Sequence, residues 1–226
     1  MGFISGLFGL LGCDNNDTES KVTIQDSIQK TINLDNILFT TPTLENALPT
    51  FENKSDSLNI QFHEDDWRQI EFISKDQRNL IDKEIAKIKD IYDNHSKKGD
   101  SYIAFKKVAM RDLITQPMAL DFSKLKSYLI NGKTQINGVS LNDNSGQVKN
   151  GFSFSFGGVG YYGQLDNNNK VQVFCIYTVY NEKNLKLSVD NISKLLSAEK
   201  LYLVDWRQMK VFDEINIKTE FVPSEE

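Results

Sequence analysis

The sequence is poor in the residues that crosslink small folds or bind metals. Its 226 residues include two cysteines, Cys13 and Cys175, which form no CxxC pair, and two histidines, His63 and His95, which lie in no HExxH or HxE motif. A disulfide framework, a zinc knuckle and an iron–sulfur site are therefore not expected. A chain of this length buries roughly 70–75% of its unfolded surface, so it needs no such crosslinks to fold. We predict no cofactor and no metal.

Basic residues are also scarce. The chain has 26 Lys and Arg against 31 Asp and Glu, a net charge of −5, and no run of basic residues is longer than two. Binding to nucleic acid requires a basic patch that displaces counterions from the phosphates. The charge balance therefore disfavours nucleic acid and favours a basic partner.

Motifs of the common enzyme classes are missing as well. No serine lies in GxSxG, and Cys175 stands among apolar residues of a predicted strand, as an inert thiol does. The segment from Gly158 to Gly163 matches GxGxxG, but a strand follows it instead of the helix that dinucleotide binding requires. We interpret these glycines as a bend or bulge between strands. We therefore predict no catalytic residues and a binding protein, not an enzyme.

The first residues form an apolar segment. Residues 1–12 place five large apolar side chains on one face of a predicted helix, which either docks on the protein or makes a weak membrane contact. Leu10-Leu11-Gly12-Cys13 resembles a lipobox, but no basic residue precedes it and the apolar run is short for a signal. We expect a cytoplasmic protein, with a lipoprotein anchored through Cys13 as the alternative.

The next segment is polar. Residues 13–57 are rich in Asn, Asp, Thr and Ser, include Pro42 and Pro49, and lack a sustained apolar pattern. We interpret them as an arm and a linker. The sequence therefore predicts that residues 58–226 fold without residues 1–57.

Residues 58–226 are predicted to form an α+β domain in which an antiparallel sheet carries about three helices. The clearest helix begins at a capping box, Ser74 to Gln77, and continues with apolar residues at helical spacing. Asp121 and Ser188 are predicted to cap the other two helices. Alternating strands fill most of the remainder, including a closing strand over residues 209–221. Strands set apart from helices are typical of an antiparallel α+β fold.

A tetrapeptide occurs twice and includes both tryptophans. Asp66-Trp67-Arg68-Gln69 and Asp205-Trp206-Arg207-Gln208 are each followed by an apolar, charged, apolar triplet. One interpretation is structural, with each Trp in the core and each Asp and Arg in a local ion pair. The other is that the two copies meet and present Trp and Arg to a protein partner, because these residue types dominate interface hot spots. Tyr161 and Tyr162 would extend such a surface.

The order of these features resembles bacterial immunity proteins encoded beside polymorphic or type VI secreted toxins. The resemblance covers roughly residues 60–212: the DWRQ strand start, the capped helix, the Gly/aromatic hairpin and the terminal Leu-Val-Asp-Trp strand. It implies a stoichiometric inhibitor of a cognate toxin. It assigns no residue roles, because such families share no binding motif.

We therefore expect a non-enzymatic immunity protein that binds and neutralises a cognate protein toxin. An envelope-associated lipoprotein or binding module is the second hypothesis, and a hydrolase with a metal on the acidic turn is the third. The predicted partner-binding residues are Glu64, Asp65, Asp66, Trp67, Arg68, Tyr161, Tyr162, Trp206 and Arg207.

Overall fold

The computed structural model describes residues 38–53, 58–99, 103–112, 118, 120–129, 134–141, 146–179 and 182–221. All of them belong to one unit that spans Leu34–Glu226. The apolar segment 1–12, Cys13 and the first part of the polar arm lie outside the described residues.

The elements, in chain order, are strands and helices of modest length. The strands are β1 Thr43–Glu45, β2 Phe51–Asn53, β3 Asn59–Phe62, β4 Ile70–Ser74, β5 Ser96–Lys98, β6 Ile103–Phe105, β7 Ala109–Arg111, β8 Gly138–Leu141, β9 Gly146–Val148, β10 Gly151–Phe156, β11 Val159–Leu165, β12 Val171–Val179, β13 Leu201–Asp205 and β14 Lys210–Phe212. The helices are α1 Arg78–His95, α2 Phe122–Leu129, α3 Glu182–Ala198 and α4 Ile217–Glu220.

A central sheet of six strands organises these elements. Its order is β10-β11-β12-β4-β13-β14, and every neighbouring pair is antiparallel. Side chains alternate between the two faces, so in β4 Phe72 lies on one face and Ile73 on the other. Both faces are covered, which explains why the middle strands are apolar on both sides.

Helices α2, α3 and α4 cover the first face. Apolar residues of α2 and α3 pack there against aromatic residues of the sheet, and Phe72 and Phe174 stack with ring centroids 4.5 Å apart. The 3.6-residue spacing of Val189, Ile192 and Leu196 places all three on the buried side of α3.

The second face is covered in two parts. Helix α1 packs over β13 and β14 through Ile81, Ile88 and Ile91. The parallel pair β3–β8 and the antiparallel pair β2–β9 cover β11 and β12. The parallel pair β1–β7 is bonded to the two residues that precede β4. The Thr43 carbonyl accepts from the Gln69 amide, and Arg111 donates to the carbonyl of Arg68.

The predicted α+β class with an antiparallel sheet is confirmed, and so is the helix that follows Ser74. The glycine motif lies at the β10–β11 hairpin, where Gly157 and Gly158 have φ of 58° and 80°, and the β11–β12 register shifts between Gly160 and Tyr161. A turn and a bulge therefore explain the motif, as expected.

Three elements differ from their predictions. Ser188 lies within α3 and not at its start, since the helix begins at Glu182, and its hydroxyl donates to the carbonyl of Gly157 at 2.9 Å. The predicted closing strand ends at Phe212, since the Asp213 carboxylate accepts from the backbone N of Ile215 and turns the chain toward α4. Residues 38–53, predicted as arm and linker, form β1 and β2, which pair with β7 and β9.

Among the described residues, no helix is both long enough and apolar enough to cross a membrane.

Candidate functional site

The two DWRQ segments lie side by side. They flank neighbouring strands, because β4 follows the first copy and β13 ends in the second, with Ile70 opposite Asp205. The backbone N of Trp206 donates to the carbonyl of Gln69 at 3.0 Å. At the surface, the Arg207 guanidinium forms an ion pair with the Asp66 carboxylate. The geometric part of the repeat hypothesis, that the two copies meet, is therefore confirmed.

Both tryptophans are core residues. Trp67 is 2% exposed and packs on Phe62 and Tyr162, between the sheet and the β3–β8 pair. Trp206 is 0% exposed and belongs to the cluster under α1, where the Arg111 guanidinium lies 5.2 Å from its ring centroid. Each ring fills a different part of the second face, so neither is available to a partner in this conformation.

The two tyrosines are buried on opposite faces of β11. Tyr161 packs among the residues under α2 and α3, while Tyr162 packs under the β3–β8 pair. The Tyr162 hydroxyl accepts from the backbone N of Arg68 at 2.6 Å and donates to the carbonyl of Asp66 at 3.2 Å. Burial raises the pKa of both phenols, so they stay neutral at physiological pH. Tyr162 therefore anchors the backbone of the first DWRQ segment from the protein interior.

Arg68 points inward because its backbone has a left-handed conformation. Its φ is 59°, which is uncommon for a residue other than glycine and turns the chain between the acidic turn and β4. Its Nη2 and Nε donate to Oε1 of Glu71 at 2.5 and 2.8 Å. Desolvation lowers the pKa of Arg68, but the attraction of Glu71 and Glu45 and the charge-assisted bonds to Glu71 together raise it. The arginine stays ionised in the core.

Four buried charges meet between β1, β7 and the start of β4. We call Glu45, Arg68, Glu71 and Arg111 the charged seam; none is more than 7% exposed. Glu45 Oε2 lies 3.5 Å from Nη1 of Arg68 and 3.9 Å from Nε of Arg111. Arg111 donates to the Thr43 hydroxyl and to the carbonyl of Arg68, each at 3.0 Å. The seam therefore joins β1, β4 and β7 with equal numbers of opposite charges.

Burial changes the titration of the seam. Desolvation lowers the pKa of Arg111 to about 10 and raises the pKa of Glu45, against the attraction of the two arginines. Cys175, which lies opposite Glu71 in the sheet, is fully buried, and desolvation raises the pKa of its thiol. A neutral, inaccessible thiol is a poor nucleophile.

The predicted partner surface is thereby reduced. Five of its nine residues are interior, because large side chains of the middle strands fill the core: Trp67, Arg68, Tyr161, Tyr162 and Trp206. The other four reach solvent. Glu64 is exposed and Asp65 is partly exposed, while the side chains of Asp66 and Arg207 are 43% and 39% exposed.

The acidic turn is held firmly from several sides. Glu64–Asp66 forms one turn of 3-10 helix, and the His63 ring accepts from the backbone N of Asp65 at 3.2 Å. The buried Gln69 amide donates to the carbonyl of Asp65 at 2.6 Å. With the bonds of Tyr162 and Arg207 to Asp66, these contacts fix both the backbone and one carboxylate. The turn is a preorganised acidic surface.

A metal on this turn finds no added support. Among the described residues, no group of three or more His, Cys, Asp or Glu side chains is arranged to hold a metal ion.

Sequence reasoning did not find Glu45, Glu71 or Arg111. Glu45 and Arg111 stand in short segments without apolar periodicity. Glu71 did carry a signal, since it lies between Ile70 and Phe72 in a strand that is apolar on both faces. A charge in such a strand needs a buried partner.

The chain was compared with known proteins at three levels. No family model matches it, and neither the curated proteins nor the solved structures contain a significant match.

Proposed function

We propose that this protein is a non-enzymatic immunity protein that binds and neutralises a cognate bacterial toxin. The contact surface is the acidic turn Glu64–Asp66 together with Arg207. The observation that carries the proposal is the firm hold on this turn, whose backbone is bonded to Gln69 and Tyr162 from the interior. A surface already in its bound shape loses less conformational entropy on association, so more of the contact energy appears as affinity.

Charge supports a basic partner. The turn contains three carboxylates, Glu64, Asp65 and Asp66, of which Glu64 is exposed and the other two are partly exposed, and Arg207 pairs with Asp66. The whole chain has a net charge of −5. Complementary charge steers encounter and excludes acidic competitors. A cationic effector such as a basic nuclease fits these properties.

The test uses the protein encoded by the adjacent gene as the probe. Its toxicity on expression and its affinity for the purified protein are measured for wild type and for Glu64→Lys/Asp65→Lys. The matched control is Asp190→Lys/Glu220→Lys, which makes the same charge change at exposed positions of α3 and α4. We expect the turn variant to lose at least about thirtyfold in affinity and to lose protection, as for hot-spot residues.

Two outcomes contradict the proposal. One is equal binding by the turn variant and the control variant. The other is turnover of a substrate with added divalent metal that is lost in Asp65→Ala, which would establish the enzyme class.

The proposal places the protein in the cytoplasm, where it meets the toxin before the target does. Membrane attachment that depends on Cys13 would instead support the lipoprotein alternative. Detergent-phase partitioning of wild type and Cys13→Ala distinguishes the two, and we expect no difference between them.

A further inference from the structure

The strongest unexplained surface feature is a group of lysines on one hairpin. In the sequence these lysines form two separate Lys-Lys pairs, residues 97–98 and 106–107. Strands β5 and β6 pair with Lys97 opposite Ala104 and Lys98 opposite Ile103. The backbone N of Lys106 then donates to the carbonyl of His95 at 2.8 Å. The fold thus brings both pairs to the base of the same hairpin, beside the end of α1.

This hairpin is positively charged in a negatively charged protein. Residues 95–107 contain four lysines and one aspartate, Asp100, a net charge of +3 against −5 for the chain. All four lysines are exposed, and none forms an ion pair with another described residue. Lysines elsewhere do pair, as Lys75 does with Glu214 and Lys170 with Asp121. The charge of the hairpin is therefore available to a partner.

An apolar side chain lies among these charges. Ile103 is 42% exposed and stands directly across the hairpin from Lys98. The rest of β6 is buried, since Phe105 packs on Tyr92 of α1 with ring centroids 5.0 Å apart. The base of the hairpin is anchored in the core while its lysines and Ile103 face solvent.

We propose that this hairpin attaches the protein peripherally to an anionic lipid bilayer. The lysines do not converge on a pocket; successive residues of a strand point to opposite sides, so Lys97 and Lys98 spread charge around the hairpin. A diffuse basic surface with one exposed apolar residue suits a layer of anionic headgroups, in which each lysine near the surface strengthens binding severalfold. The cytoplasmic leaflet carries such lipids.

Peripheral binding combines buried apolar area with electrostatic attraction to anionic lipids. The described part of the hairpin supplies both, since Ile103 lies beside the exposed lysines. This inference is independent of the toxin proposal.

The test measures cosedimentation of the full chain with vesicles of phosphatidylcholine containing about 30% phosphatidylserine, and with phosphatidylcholine alone, in about 0.1 M NaCl. The hairpin variant reverses all four charges: Lys97→Glu, Lys98→Glu, Lys106→Glu and Lys107→Glu. The matched control reverses four exposed lysines elsewhere: Lys83→Glu, Lys149→Glu, Lys186→Glu and Lys194→Glu. Both variants have the same net charge, and thermal unfolding confirms that each is folded.

We expect wild type and the control variant to bind the vesicles that contain phosphatidylserine but not those of phosphatidylcholine. The hairpin variant should bind the phosphatidylserine vesicles at least about tenfold more weakly. Absence of binding by wild type overturns the proposal, and so does an equal loss in both variants. A single-stranded RNA oligonucleotide serves as a second anionic probe. Binding to this RNA that depends on the hairpin, without binding to vesicles, would assign the patch to nucleic acid and overturn the membrane proposal.

Discussion

At the scale of single residues, the two glutamates of the charged seam differ in their hydrogen bonding to the arginines. Glu71 accepts two short bonds from Arg68, whereas Glu45 Oε2 accepts no hydrogen bond and lies 3.5 Å from Nη1 of Arg68 and 3.9 Å from Nε of Arg111. Arg111 keeps its bonds to Thr43 and to the carbonyl of Arg68 without Glu45. The stability of the seam therefore depends mainly on Glu71.

The first prediction compares isosteric substitutions of these two residues. Glu71→Gln leaves a buried arginine without its bonded carboxylate and should cost about 3–5 kcal/mol in the free energy of unfolding. Glu45→Gln should cost less than about 1 kcal/mol, because removing a desolvated charge offsets the lost attraction. Urea unfolding at pH 7 measures both. Equal losses of stability in the two variants would contradict the prediction that Glu71 contributes more than Glu45.

The second prediction concerns pH and Glu45. Because burial raises its pKa in the folded state above the usual 4.5, the folded protein binds this proton more tightly than the unfolded chain does. The contribution of Glu45 to stability is therefore greatest below pH 4.5 and declines as pH rises through the folded pKa. The stability of Glu45→Gln relative to wild type should thus be higher at pH 7 than at pH 4.5.

Unfolding of wild type and Glu45→Gln across this range tests the sign. Glu52→Gln, which removes an exposed carboxylate, is the control. A difference that does not change with pH would show that Glu45 has no raised pKa in the folded protein.

At the scale of elements, β1 completes the interior although it comes from a segment predicted as linker. Its Thr43 hydroxyl donates to the carbonyl of Ala109 at 2.8 Å, and its Thr43 carbonyl accepts from the buried Gln69 amide. Without β1, Arg111 loses both Glu45 and Thr43 and is left as a poorly paired charge in the core.

The third prediction follows for truncated chains. A chain that begins at Leu34 retains β1 and should unfold cooperatively. A chain that begins at Leu58 lacks β1 and β2, and we expect it to be molten or to have a clearly lower Tm. Circular dichroism melts of the two proteins measure this. Equal melting temperatures would show that residues 58–226 fold on their own, as the sequence suggested.

The elements that the sequence predicted well are those with a strong local pattern. Ser74 caps the 3-10 turn that leads into α1, and the isoleucines of α1 have helical spacing. In β10, Phe alternates with Ser. The short strands β1 and β7 have three residues each and are defined by their pairing with one another across the chain. No local signal specifies such a parallel pair, because its hydrogen bonds and its buried charges arise only when distant segments meet.

The candidate site shows the same limit. The DWRQ repeat indicated that two segments matter, and they do lie together. In a regular strand Trp67 and Arg68 would point to opposite faces. Instead, Arg68 has a left-handed backbone and both side chains are buried. A positive φ at an arginine is a tertiary outcome that composition and periodicity do not encode.

At the scale of the whole molecule, charges of opposite sign occupy neighbouring surfaces. The Tyr92 hydroxyl of α1 donates to the carbonyl of Arg207 at 3.4 Å, and His95 begins the lysine hairpin less than one turn later. The acidic turn pairs with Arg207 on the other side. A basic partner that approaches the turn therefore also meets the positive field of the hairpin.

The last prediction rests on the proposed function and concerns the rate of association with the cationic toxin. Glu64→Lys/Asp65→Lys should slow association, because it removes the attractive charge, whereas the four-lysine reversal of the hairpin should accelerate it by removing repulsion. Both effects should shrink as salt rises from about 0.05 to about 0.2 M, since screening shortens the reach of each charge to about 10 Å or less. Stopped-flow association at the two salt concentrations measures this. Changes of the same sign in the two variants would show that net charge, and not the placement of the two surfaces, governs the encounter.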